Sequence, residues 1–161
     1  MNQYHITQRK LHWVTVLIVM TTAPLGLFMD DFPGQMMFYA AYLHLSLGII
    51  LWFVIAVRWR LHIQRPRPCY PVAIGRGSIF FAKAVQYSML ALLTVQPLIG
   101  LVFFYYYPPE LWGQDKTPLV MTLYELHEKI AYAFAALLSL HVLGFIKHLL
   151  IDKTNLLGRI L

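Results

Sequence analysis

Four long apolar stretches, roughly residues 11–29, 37–57, 79–106 and 126–150, constrain this chain more than any other feature. Each holds about 18 or more residues with few charges, enough for a helix to cross a hydrocarbon core of about 30 Å. One such stretch could be the buried helix of a soluble protein. A chain of 161 residues offers too little else to cover four of them. Charged residues make up 12% of the sequence, about half the usual share of a soluble domain. The expected fold is all-α, an integral membrane four-helix bundle forming a single domain over residues 1–161. Arg9 and Lys10 ahead of the first stretch imitate a signal peptide, but the apolar run is too long for one and "TTAPLG" is a weak cleavage site, so it is read as a span. Cys69 is the only cysteine, which excludes an intramolecular disulfide, and no C-x-x-C-H sequence exists for covalent haem attachment.

The loops sort by charge. Arg9 and Lys10 precede the first span, Arg58, Arg60, Arg65, Arg67, Arg76 and Lys83 flank or occupy the middle loop, and Lys147, Lys153 and Arg159 follow the last span. The other side carries Asp30, Asp31, Glu110, Asp115, Glu125 and Glu128 against Lys116 and Lys129. The positive-inside rule then puts the N-terminus, the middle loop and the C-terminus in the cytoplasm. The net charge of +6 is thus an orientation signal, and no nucleic-acid partner is expected. The middle loop, rich in Pro and Arg, reads as a connector. Trp13, Trp52, Trp59, Tyr105, Tyr106, Tyr107 and Trp112 fall near the span ends, as interfacial belt residues do.

Histidines are the residues that do not belong in such spans, since both ring nitrogens want partners. An ionisable residue inside a span points to function. His12 opens the first span at the inner side, His44 lies about two turns into the second from the outer side, His127 opens the fourth, and His141 follows it. His127 and His141 are fourteen residues apart, about 21 Å of helix rise and some 40° short of four full turns, so they project from nearly the same face at opposite leaflets. The four form two levels, His12 with His141 inside and His44 with His127 outside. Two imidazoles can bind one haem iron from its two sides, so the pattern predicts two stacked, non-covalent, bis-histidine haems. A single zinc or copper ion cannot use all four, because its ligands must converge at about 2 Å. His5 and His62 are read as surface residues, while His148, seven after His141, returns to the same face and can approach a haem edge.

The same spacing nominates further cofactor-binding positions. Arg58 is fourteen residues after His44, at the inner level, where its guanidinium can meet a haem propionate or anchor the span. Gly26 is fourteen after His12, at the outer level, and Gly48 lies one turn from His44. Either glycine can admit a flat ring against the backbone or simply let helices pack closely.

The pieces "LHWVTVL", "LHLSLG", "QPLIGL", "LHEKIAYAFAALLSLH" and "HLLIDKTNLLGRIL" together resemble the prokaryotic cytochrome b561 family over nearly the whole chain. The resemblance implies a four-helix bundle of the bacterial inner membrane with two b haems. Its implied inner ligands are His12 and His141 and its implied outer ligands His44 and His127. It also implies exchange of electrons with membrane quinone, ubiquinone included, and in some members oxidation of superoxide at the periplasmic face. Many members carry a histidine near the start of the third span where this chain has Gln86, so that residue's role does not carry over.

Three functions are open to such a chain: a respiratory electron carrier between quinone and a redox partner, a superoxide oxidase that reduces quinone, and a haem-bearing anchor subunit of a larger oxidoreductase. The acidic outer loops favour a cationic periplasmic redox protein as partner and disfavour superoxide, an anion that positive charge would steer. A homodimer is compatible with the pattern, and membrane lipid is the common neighbour of all three.

Overall fold

The structure is a computed structural model, and it describes residues 3–65, 67–71 and 74–161. Part of the middle connector, Pro66, Val72 and Ala73, lies outside the described residues. The described chain folds into four long helices, α1 (Ile6–Leu27), α2 (Gln35–Gln64), α3 (Arg76–Tyr106) and α4 (Pro118–Leu150), with one-turn 3-10 helices at Met29–Asp31, Pro109–Leu111 and Leu157–Arg159. All four are long and apolar enough to cross a membrane. Their outward faces carry large apolar side chains such as Leu17, Phe53, Phe80 and Leu143, as lipid contact requires.

The helices outrun the apolar stretches because hydropathy marks the hydrocarbon segment and the hydrogen-bond ladder continues past it. α1 starts at Ile6, where His5 accepts from the Thr7 amide and Gln8 reaches back to the His5 amide, a capping box. α4 starts at Pro118, eight residues before the apolar run, with the Thr117 side chain accepting from the Val120 amide. Its 33 residues amount to about 50 Å of helix, more than the hydrocarbon core needs. His127 therefore lies well inside α4 rather than at its start, and His12 sits a turn and a half into α1.

Close backbone packing runs from α1 to α2, α2 to α3 and α3 to α4. Among the described residues α4 does not close as tightly on α1. The core consists of Ile18 and Val19 from α1, Leu51 and Ile55 from α2, and Leu93 from α3, with Leu47, Val54, Trp59, Leu90 and Phe134 packed around it. Ile55 is fully buried. Phe134 is seven residues from both His127 and His141, so this apolar plug lies between the two histidine levels.

The end carrying both termini is tied shut by the tail. The Tyr4 amide donates to the Arg159 carbonyl at 3.1 Å, and the Trp13 indole donates to the Ile160 carbonyl at 3.1 Å. The buried Arg159 guanidinium donates to the carbonyls of Pro68 and Cys69 at 2.6 and 2.9 Å and lies over the rings of Tyr4 and Tyr70. One side chain thus joins the N-terminus, the middle connector and the C-terminus. Trp59, read from sequence as a belt residue, turns inward and donates to Thr94 Oγ1 at 3.0 Å. Tyr107 is also buried, its hydroxyl donating to the Gln114 carbonyl.

Candidate functional site

At the end away from the termini, α2 and α4 bring His44 and His127 together. Their ring centroids are 6.1 Å apart and their planes cross at 70°. The His44 Nδ1 lies 3.0 Å from the Thr22 main-chain carbonyl of α1. A carbonyl only accepts, so Nδ1 carries the proton and Nε2 is left with a free lone pair, the state a metal ligand needs. Gly26, one turn on from Thr22, makes room for this ring: a Cβ there would stand 2.7 Å from His44 Cε1. The close approach expected at Gly26 is real, and the flat ring it admits is the imidazole of His44. Gly100 of α3 does the same for His127, with an added Cβ 2.9 Å from its Cε1. Gly100 was missed from sequence, although it lies inside the quoted "QPLIGL". Gly48 is different, because an added Cβ meets nothing within 4 Å, so no helix packs on it.

At the terminal end, His12 and His141 line one cavity of about 1050 Å³ where α1 and α4 part. Arg58 lines it too, as the spacing from His44 anticipates, together with His62, Gln86 and His148. His62 is thus not a surface residue. It is half-buried, its Nε2 is 2.8 Å from the Tyr87 hydroxyl, and Arg67 reaches it from the connector at 2.8 Å while covering the Tyr87 ring. His148 is buried and bonded through Nδ1 to Asp152. Lys147 reaches the same carboxylate at 2.9 Å, and the hydrogen bonds from Lys147 and His148 hold the Asp152 carboxyl below its ordinary range. Of the polar residues beside His12, the Thr15 hydroxyl donates to the Leu11 carbonyl of its own helix and the Trp13 indole to the tail. Arg9 donates to Gln3 at 2.9 Å and borders a separate shallow groove.

The described residues hold no cluster of three or more His, Cys, Asp or Glu that would cage a metal by itself. Pairs of histidines suit a cofactor that brings its own equatorial ligands, as haem does. The outer pair fits that demand in spacing, and His44 in tautomer, while the inner pair fits it in volume and in the cationic wall.

The far-end loops are acidic but partly self-satisfied. Glu110 accepts from the Tyr42 hydroxyl at 2.6 Å, Glu125 pairs with Lys129 at 2.8 Å, and Lys116 lies over the rings of Tyr107 and Tyr124.

A search of curated proteins finds no match to this chain. The family profile for prokaryotic cytochrome b561 matches residues 3–161. With four helices long and apolar enough to cross a membrane and that match over nearly its whole length, the chain belongs to the prokaryotic cytochrome b561 family, multi-pass membrane proteins that bind haem b and transfer electrons.

Proposed function

We propose that the chain carries electrons across the bacterial inner membrane through two bis-histidine b haems, between the quinone pool and a redox partner at the far end. The observation that carries this reading is the His44–His127 pair. Two imidazoles that ligate one metal from opposite faces, with metal–nitrogen bonds of about 2.0 Å, have ring centroids about 6 Å apart, and these rings are 6.1 Å apart. His12 and His141 are the second pair, on the wall of the terminal-end cavity.

Haem, when bound, supplies a one-electron carrier whose potential its axial ligands tune. The residues of this chain do the rest. The Thr22 carbonyl holds the His44 proton on Nδ1, which leaves the Nε2 lone pair free and would let it hold the haem iron. Arg58 offers a planar, two-pronged partner to a propionate. The core around Ile55 and Phe134 fills the space between the levels with apolar side chains.

The eleven basic residues that gather at the terminal end support its placement in the cytoplasm. The same cavity, larger than a ligand pair needs, is the place for a quinone headgroup. Because Trp13 and Thr15 spend their donors within the protein, and Lys147 bonds to Ser78 and Asp152, the polar contact to it comes from Gln86 on the same wall. At the far end the acids favour a cationic protein partner over superoxide, since charge complementarity raises encounter rates. Purified protein should carry about two haems per chain by pyridine haemochrome assay, and a quinol analogue should reduce them in detergent. One haem per chain ends the two-level reading, and failure of every quinol moves the electron source to a protein.

A further inference from the structure

The motif "QPLIG", Gln96–Gly100 on α3, ends on the glycine that makes room for the His127 ring. Its first residue does more. The Gln96 side-chain amide reaches across to α4 and its Nε2 donates to the main-chain carbonyl of His127 at 2.9 Å. The other half of that amide, Oε1, is buried with no partner, and so is Nδ1 of the His127 ring. A buried polar group without a partner is destabilising, and here an amide oxygen and a ring nitrogen stand orphaned on the same residue pair. His44 shows how the matching ligand is treated: its Nδ1 has the Thr22 carbonyl, with Gly26 one turn further along the same helix. Gln96 and Gly100 have that same four-residue spacing against His127.

We propose that Gln96 is the positioning residue of His127: it anchors the His127 main chain through Nε2 and, when the far-end cofactor is seated, accepts the Nδ1 proton of the ring on Oε1. Fixing that proton leaves Nε2 as the ligand atom, and the strength of the bond sets how basic the ligand is. A stronger acceptor makes the imidazole a better donor to iron and lowers the potential; no acceptor raises it. Thr22 serves His44 with a main-chain carbonyl that substitution cannot alter, whereas Gln96 is a side chain that substitution can change. This rests on the reading of His44 and His127 as ligands.

The test is a reductive titration of the haem-loaded protein, following the two b-type components separately, with electron paramagnetic resonance of the oxidised form. Gln96→Leu should raise the potential of one component and Gln96→Glu should lower it, while the other component stays in place in both. The resonance of that same component should shift as the axial field changes. Should Gln96→Glu fail to take up haem, Gln96→Met, which keeps the length without the amide, decides alone. An unmoved potential and resonance in Gln96→Leu or Gln96→Met assigns the Nδ1 proton to the main chain and overturns the proposal, as does an equal shift of both components. His127→Ala separates the two failures: retention of both haems there removes the ligand reading itself, whereas loss of one haem with silent Gln96 variants removes the role of Gln96 alone.

Discussion

The two histidine levels are built on opposite plans. At the far end, helix backbones press directly on the rings: Gly26 and Gly100 each leave room for an imidazole that a Cβ would crowd, and the ring centroids stand 6.1 Å apart. At the terminal end, α1 and α4 stand apart around a cavity of about 1050 Å³, with cationic side chains on its wall and a floor made by the connector and the tail. The first is a clamp and the second a chamber. A clamp fixes a ligand field, while a chamber can admit a second molecule beside the cofactor. That division suits a carrier that exchanges electrons with a small hydrophobic substrate at one end and with a docked partner at the other.

The sharpest way to break the comparison is to remove the rings one at a time. His44→Ala or His127→Ala should leave about one haem per chain, and His12→Ala or His141→Ala should leave the other one, by pyridine haemochrome assay and low-temperature spectra. If every single variant loses both haems, the levels are not independent and the clamp is not preset.

Smaller, and aimed at the clamp alone, is the addition of one methyl group. Gly26→Ala and Gly100→Ala force an imidazole away from contacts of 2.7 and 2.9 Å. Overpacking of this kind costs about 1–3 kcal/mol, and it should weaken haem retention at the far end without touching the other component. Gly48→Ala, with open space around it, should be silent in the same assay.

The smallest effect on haem retention concerns the chamber's floor, away from the histidine rings. Arg159→Ala removes two hydrogen bonds to the connector and the cation over Tyr4 and Tyr70. Bonds from a charged donor contribute about 1.5–3 kcal/mol when buried. Limited proteolysis should cut the middle connector faster, and thermal loss of the terminal-end haem should come earlier than in the parent, with the far-end haem unchanged.

How far the sequence could be read follows from the kind of information each feature needs. The four spans were legible because apolar length is local. Their ends were not, since Thr117 and Pro118 form a start signal outside the apolar run, and hydropathy does not register it. That His44 meets His127 and that His12 and His141 line one cavity was legible because a fourteen-residue spacing fixes depth and facing together. Arg58 came from the same arithmetic and reaches the cavity as expected. Contacts between helices depend on their relative rotation, which no single stretch encodes. That is why Gly26 was found at the right level without its partner, His44, why Gly100 was overlooked, and why His62 was read as exposed. Gln96 sat in a quoted motif, but only the orphaned atoms across the α3–α4 contact give it a task.

The distance between the levels carries an electrical consequence. With carriers at both, an electron passing from His141 to His127 moves about 21 Å through a core of about 30 Å, roughly seven-tenths of the membrane field. A full crossing is worth about 2.3 kcal/mol per 100 mV, so this passage exchanges about 1.6 kcal/mol with each 100 mV of membrane potential, slightly more than a tenfold change in equilibrium. The space between the levels is packed with apolar side chains around Ile55. An energised membrane therefore pushes the electron toward its positive face and resists the return, and the bundle feels that voltage through its helix length alone, with no moving part.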